Sequence, residues 1–272
     1  MRHQIFITAA LLVATPLVAP LALAAQGATS PSDARKAFDP RAFGGTWDRY
    51  PPNASQRDPR APAREASAAI PIPAAVPPPP LKPEFKTAWE AKRKKIADAT
   101  ARGEPIANAY THCLPDGMPT MMIGMFPMEV LPTPGQITII QEAYNQVRRI
   151  YLNDKLPAIE DAEPGFWGHS VGHWEGNTLV ADTVGIKNYV LFQDVPHSAN
   201  MRINERMTML SPDHFENVVT VTDPQYLETP WSWKWIYQRR PNYKMYEYVC
   251  EENREYADPE TGAQRMKTGP LK

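Results

Sequence analysis

From Pro134 to Glu252 the chain reads as four β-hairpins laid end to end. The first pairs Gln136–Glu142 with Gln146–Leu152, and the second Phe166–Trp174 with Thr178–Val184. The third pairs Met201–Leu210 with Phe215–Thr222, and the fourth Trp231–Gln238 with Tyr243–Cys250. Every run is rich in Val, Ile, Thr, Tyr, Trp or Met, and every turn carries Gly, Pro, Asn or Asp. Eight short antiparallel strands leave unpaired edges unless the first meets the last. The expected fold is therefore mainly β: an eight-stranded antiparallel meander closed as a lipocalin-like barrel, its lumen filled by side chains or one small ligand.

The chain ends frame this domain. Met1-Arg2-His3, an apolar stretch from Ile5 to Leu23 and the small-x-small ending Ala22-Leu23-Ala24 describe a secretory signal peptide over residues 1–24. Pro16 and Pro20 argue against a retained membrane anchor, so the expectation is a periplasmic or secreted protein without stable membrane insertion. Residues 25–83 are rich in Pro and Ala and favour an extended lead-in. Within them Gly45-Thr46-Trp47 looks like the first-strand signature of lipocalins, or else an aromatic clip on the barrel surface. A helix is expected from Glu84 to about Ala101, within a connecting segment 84–109. Its Lys92-Arg93-Lys94-Lys95 run reads as a solvated face. The β domain spans 110–255 and a tail spans 256–272.

Two cysteines in an exported chain permit one bridge, and Cys113–Cys250 would tie the β domain shut. Neither has a CxxC partner, so no metal centre is expected there. Met118, Met121, Met122, Met125 and Met128 offer soft copper ligands, but Pro119, Gly124 and Pro127 break the helical spacing. An apolar plug against one barrel end is the favoured reading. A net charge of −1 gives no field to recruit nucleic acid. There is no GxSxG elbow, phosphate loop or GxGxxG, which disfavours serine-triad hydrolysis and nicotinamide chemistry, and no cofactor is expected.

The second hairpin is the densest in chemistry. His169 and His173 lie on one predicted strand, roughly 13 Å apart at about 3.3 Å per residue, too far to share an ion. A two-residue turn at Gly176-Asn177 places Asp182 opposite Val171, with both histidines as diagonal neighbours. A carboxylate orienting one imidazole nitrogen leaves the other free for proton transfer, so His169 and Asp182 are candidate catalytic groups if their face meets the lumen. Glu205 shares a face with Met201, Ile203, Met207 and Met209 and should point inward, with Arg149 as one possible cation partner. His197 sits in a connection that could hold it over a barrel mouth. His173, Glu247 and the alternating Trp231, Trp233, Trp235 and Tyr237 complete the candidate ligand surface; the tryptophans suit either a ligand wall or helix packing outside the barrel.

Gly168-His169-Ser170 with Gly172-x-Trp174-Glu175-Gly176-Asn177-Thr178-Leu179-Val180 and Asp182-Thr183 form one ordered motif. Pro196-His197-Ser198, Glu205-Arg206, Asp223-Pro224, Pro230-Trp231 and Glu247-Tyr248-x-Cys250-x-Glu252-Asn253 follow it. Together they resemble a family of exported bacterial β-rich proteins, over about residues 110–255. The resemblance implies a secreted β protein and lends weight to His169, Asp182, His197 and Glu205; it supplies no reaction. Similar sequences often carry Arg after Gly172, where this chain has His173.

Three functions follow as expectations. The first is a cofactor-independent lyase, isomerase or hydrolase acting by His/Asp proton transfer on a small, partly apolar molecule. The second is a lipocalin-like binding protein for a hydrophobic ligand, and the third a structural envelope protein.

Overall fold

Nine strands, not eight, form a closed barrel in the computed structural model. The residues it describes are 41–51, 70–104, 113–123 and 126–250, with two short paired strands at Glu255–Ala257 and Gln264–Met266. The expected signal peptide, Met125 and most of the tail lie outside them. The barrel strands are β1 Gly45–Tyr50, β2 Met128–Thr133, β3 Gln136–Gln141, β4 Gln146–Leu152 and β5 His169–Glu175. They continue as β6 Thr178–Val184, β7 Arg202–Ser211, β8 His214–Thr222 and β9 Trp231–Arg239. Each strand pairs with its sequence neighbours, and β1 closes the ring against β9.

Six strands of the first three hairpins form where the turn chemistry places them. The fourth hairpin is half correct: β9 forms, but Tyr243–Cys250 is not a strand. Its place beside β9 is taken by β1, whose Trp47 sits across from Arg239 and whose Arg49 sits across from Tyr237. The Gly45-Thr46-Trp47 island is thus part of the barrel wall, with Trp47 fully buried. The Arg239 guanidinium lies 4.1 Å from the Trp47 ring centre. The other unforeseen strand, β2, pairs with β3 through the tight Pro134-Gly135 turn.

The meander is also not wholly antiparallel, because β4 and β5 run parallel, with Ile150 opposite Ser170 and Leu152 opposite Gly172. This follows from counting. A closed ring with an odd number of strands cannot alternate direction all the way round, so one parallel pair must occur. A parallel pair needs a long crossover, and the 153–168 segment supplies it.

Strand direction sorts the connections by barrel end. The Pro134-Gly135, Gly176-Asn177 and Pro212-Asp213 turns lie at one end, which an aromatic cluster closes from inside. There Phe43 packs 5.7 Å from Trp174 and 5.4 Å from Phe215, and Trp47 lies 4.7 Å from Phe215. The described parts of the 51–127 connection gather at the other end with the 185–201 and 223–230 connections. The first contains helix α1, Pro83–Ala101, and the methionine segment.

That segment is a lumen plug. Met118, Met121 and Met122 are fully buried in the same core as the barrel's inward side chains. Its backbone is held by the wall: Gln141 Nε2 donates to the Met121 carbonyl at 2.9 Å, the Tyr237 hydroxyl donates to the Met122 carbonyl, and Gly117 N donates to Gln146 Oε1 at 3.2 Å. Cys113 and Cys250 form the expected disulfide, so the bridge anchors the start of the plug to the chain beyond β9.

Candidate binding site at the long-loop end of the barrel

Along β4 the buried positions are Gln146, Arg148 and Ile150, so Arg148 points inward and Arg149 is exposed. The cation that meets Glu205 is therefore Arg148, one residue from the expected partner. Both side chains are fully buried, and Arg148 Nη2 donates to Glu205 Oε2. The guanidinium also donates to Ser170 Oγ, at 3.2 Å from Nε, and to Thr183 Oγ1 at 3.1 Å. Asn217 Nδ2 donates to the second Glu205 oxygen at 2.8 Å. Burial pushes the Tyr237 hydroxyl pKa far up, and the Glu205 charge adds to the shift. This belt spans five neighbouring strands, β4 to β8, across the lumen. Ion pairing and hydrogen bonding offset the heavy cost of placing two charges out of water.

The second hairpin holds the expected register, with Val171 opposite Asp182 and Glu175 opposite Thr178. Its faces are the reverse of what a His–Asp site needs. Ser170, Gly172 and Trp174 turn toward the lumen, as do Leu179, Ala181 and Thr183. His169 and His173 are exposed. His169 Nε2 lies 2.8 Å from the Glu163 carbonyl of the crossover, while Asp182 accepts from Asn204 Nδ2 at 2.7 Å, its direct neighbour on β7. His173 belongs to a surface group with Glu175 and Arg206, at 3.2 and 2.7 Å from Glu175. Thus the motif sends Ser170 and Thr183, rather than His169 and Asp182, into the buried network. His169→Ala is expected to shift unfolding free energy by no more than about 0.5 kcal/mol, as for an exposed position outside a core. Urea unfolding checks this, and a loss above about 2 kcal/mol would contradict the placement.

Glu247 is exposed on the non-strand segment after β9, away from any inward face. Trp231, Trp233, Trp235 and Tyr237 are all buried on the lumen side, which resolves their face in favour of the interior wall. The helix packs elsewhere, with Phe85 4.4 Å from Tyr226.

The tryptophan wall meets a side chain that sequence reasoning missed. Phe192, from the 185–201 connection, stacks 4.8 Å from Trp233 and lies 5.3 Å from Trp231. It is carried by a tight turn in which Val195 N donates to the Phe192 carbonyl at 3.1 Å, with Gln193 and Asp194 both at positive φ. Helix α1 clamps this turn from outside. Trp89 Nε1 donates to the Gln193 carbonyl at 2.9 Å, and Lys92 Nζ and Arg93 Nη1 reach Asp194 at 3.2 and 3.1 Å. Part of the basic run expected to be a solvated face thus holds a loop. Nothing in the periodicity of the 185–201 connection signals this, because the turn is defined by what it packs against.

Around Phe192 lies an apolar cavity of about 20 Å³, walled by Met118, Val190, Met201, Leu227 and Trp231. That volume is about enough for one water-sized group. Its polar lining comes from His197 and Asp223. His197 is buried, with Nε2 3.1 Å from the Val190 carbonyl and Nδ1 3.1 Å from the Ser198 carbonyl. Asp223 accepts from Ser198 N at 2.6 Å, Ser198 Oγ at 2.9 Å and Gln225 N at 2.9 Å. Asp223 and Leu227 also line an open groove of about 370 Å³, together with Ile159, Asn200, Arg202 and Glu228. Cavity and groove have these two lining residues in common.

Among the described residues, no group of His, Cys, Asp and Glu could hold a metal ion, and no helix is long and apolar enough to cross a membrane. Comparison of the chain with protein-family models, with curated proteins and with solved structures finds no match.

Proposed function

We propose that this protein is an exported binding protein for a small, partly apolar organic molecule, which it takes at the long-loop end of its barrel. The observation that carries the reading is the aromatic recess at that end. Trp231 and Trp233 form a wall against which a single phenyl ring, that of Phe192, is stacked, beside an apolar cavity that shares the lining residues Asp223 and Leu227 with a polar groove. Ligand sites commonly combine an apolar enclosure with a few placed polar groups. In this reading the Phe192 ring holds the place of the ligand, and binding requires it to leave the wall against the hold of Trp89, Lys92 and Arg93 on its turn.

The proton-transfer alternative finds less support. Glu205 is enclosed with Arg148, Asp182 is bonded to Asn204, and both His197 nitrogens face backbone carbonyls. Export is supported by the sequence of residues 1–24 and by the disulfide, which suits an oxidising compartment. The lipocalin-like reading rests on Gly45-Thr46-Trp47 in the first strand, with the parallel β4–β5 pair as a departure from a plain meander.

Titration with the neutral fluorophore N-phenyl-1-naphthylamine tests the proposal. Saturable binding of one molecule per chain is expected, with tryptophan quenching. Phe192→Ala removes the competing ring and should tighten binding roughly tenfold, equivalent to about 1.4 kcal/mol. Absence of saturable binding in both proteins would refute the reading.

A further inference from the structure

The groove carries two opposite charges that no described residue neutralises. Arg202 and Glu228 both line it, both are exposed, and neither side chain has an ion pair or hydrogen bond with a described residue. Their positions are tied to the cavity. Arg202 follows Met201 and Glu228 follows Leu227, and Met201 and Leu227 are cavity walls. At both places the apolar side chain turns inward and the next residue presents its charge at the groove. The remaining charges nearby are already engaged. Asp223 is buried and holds three donors, and Lys82 Nζ donates to the Pro224 carbonyl at 2.7 Å.

Resting on the binding reading above, we propose that the ligand is a zwitterion with an apolar side group, of the chemistry of an aromatic or branched aliphatic α-amino acid. Its carboxylate pairs with Arg202, which offers a planar fork of donors matched to two oxygens. Its ammonium pairs with Glu228, which lines the same groove as Arg202. Its side group enters between Met201, Leu227 and Trp231 when Phe192 withdraws. A ligand with only one charge would leave either Arg202 or Glu228 unpaired, as it is without ligand.

Calorimetric titration of the mature full-length chain tests this with L-phenylalanine, L-leucine, 3-phenylpropanoate and 2-phenylethylamine. At least one amino acid should bind at least tenfold more tightly than either single-charge analogue. Arg202→Gln should weaken the amino acid and 3-phenylpropanoate at least fivefold and leave 2-phenylethylamine unchanged. Glu228→Gln should weaken the amino acid and 2-phenylethylamine and leave 3-phenylpropanoate unchanged. Both side chains are exposed, so the folded barrel is retained in each variant. Equal binding of an analogue and its amino acid, or insensitivity to both substitutions, would overturn the proposal. If the neutral fluorophore binds and neither amino acid does, the zwitterion inference fails while the binding site stands. If neither class binds, the site itself is misassigned.

Discussion

Glu205→Ala is expected to destabilise the barrel by about 3–5 kcal/mol, the range for breaking one half of a buried ion pair. The reason is what the substitution leaves behind. Arg148 would remain fully buried with only the Ser170 and Thr183 hydroxyls as acceptors, and Asn217 would lose the carboxylate to which it donates. An unpaired buried charge costs far more than the net worth of the pair. Replacing both partners together, as Arg148→Met with Glu205→Leu, should therefore recover most of the loss, because a buried pair exchanged for apolar groups of similar volume is often close to neutral. Equilibrium urea unfolding of the two single variants and the double variant measures this. A Glu205→Ala cost below about 1 kcal/mol would mean that the pair is reached by water and that the lumen is not sealed.

Removal of the disulfide, by Cys113→Ser with Cys250→Ser, is expected to cost about 4–5 kcal/mol on the chain-entropy account of a long closed loop. The two cysteines are separated by 137 positions, so the bridge restrains most of the barrel sequence in the unfolded chain. It also anchors one end of the methionine plug, whose other restraints are the hydrogen bonds from Gln141, Tyr237 and Gly117. Adding reductant to the native protein should lower its urea midpoint by the same amount and leave the double variant unaffected. If reductant and substitution both leave the midpoint in place, the bridge does not contribute to stability.

The strands were legible where local chemistry decides them. Tight turns at Gly176-Asn177 and Pro212-Asp213 lie between β-branched and aromatic runs, and the predicted register of the second hairpin is the observed one. Tyr243–Cys250 has the same composition yet is not a strand, because β1 already occupies the edge of β9. Pairing is a competition between distant segments, and no window of sequence contains both competitors. β2 was hidden for a related reason: Met128-Glu129-Val130-Leu131-Pro132-Thr133 follows a methionine-rich stretch and contains a proline. Its partner β3 makes it a strand.

The candidate site was legible in part. Glu205 was placed inward correctly because its neighbours on that face are all apolar. The sequence gives His169 and Asp182 their observed register and leaves their face open, and the structure turns that face away from the lumen. Alternation states which residues share a face; it does not state which face is covered when both carry polar groups. On β5 one face holds His169, Val171 and His173 and the other Ser170, Gly172 and Trp174, and neither is decisively apolar. The same ambiguity exchanged Arg148 for Arg149 on β4.

Neighbours along the chain settle the turns of the first three hairpins, strand periodicity, the helix beginning at Pro83 and one possible cysteine pair. The number of strands, the parallel pair, the inward faces of β4 and β5 and the Phe192 recess came only from the tertiary structure. Each of these depends on closing a ring from segments as far apart as β1 and β9, and closure is a property of the whole barrel.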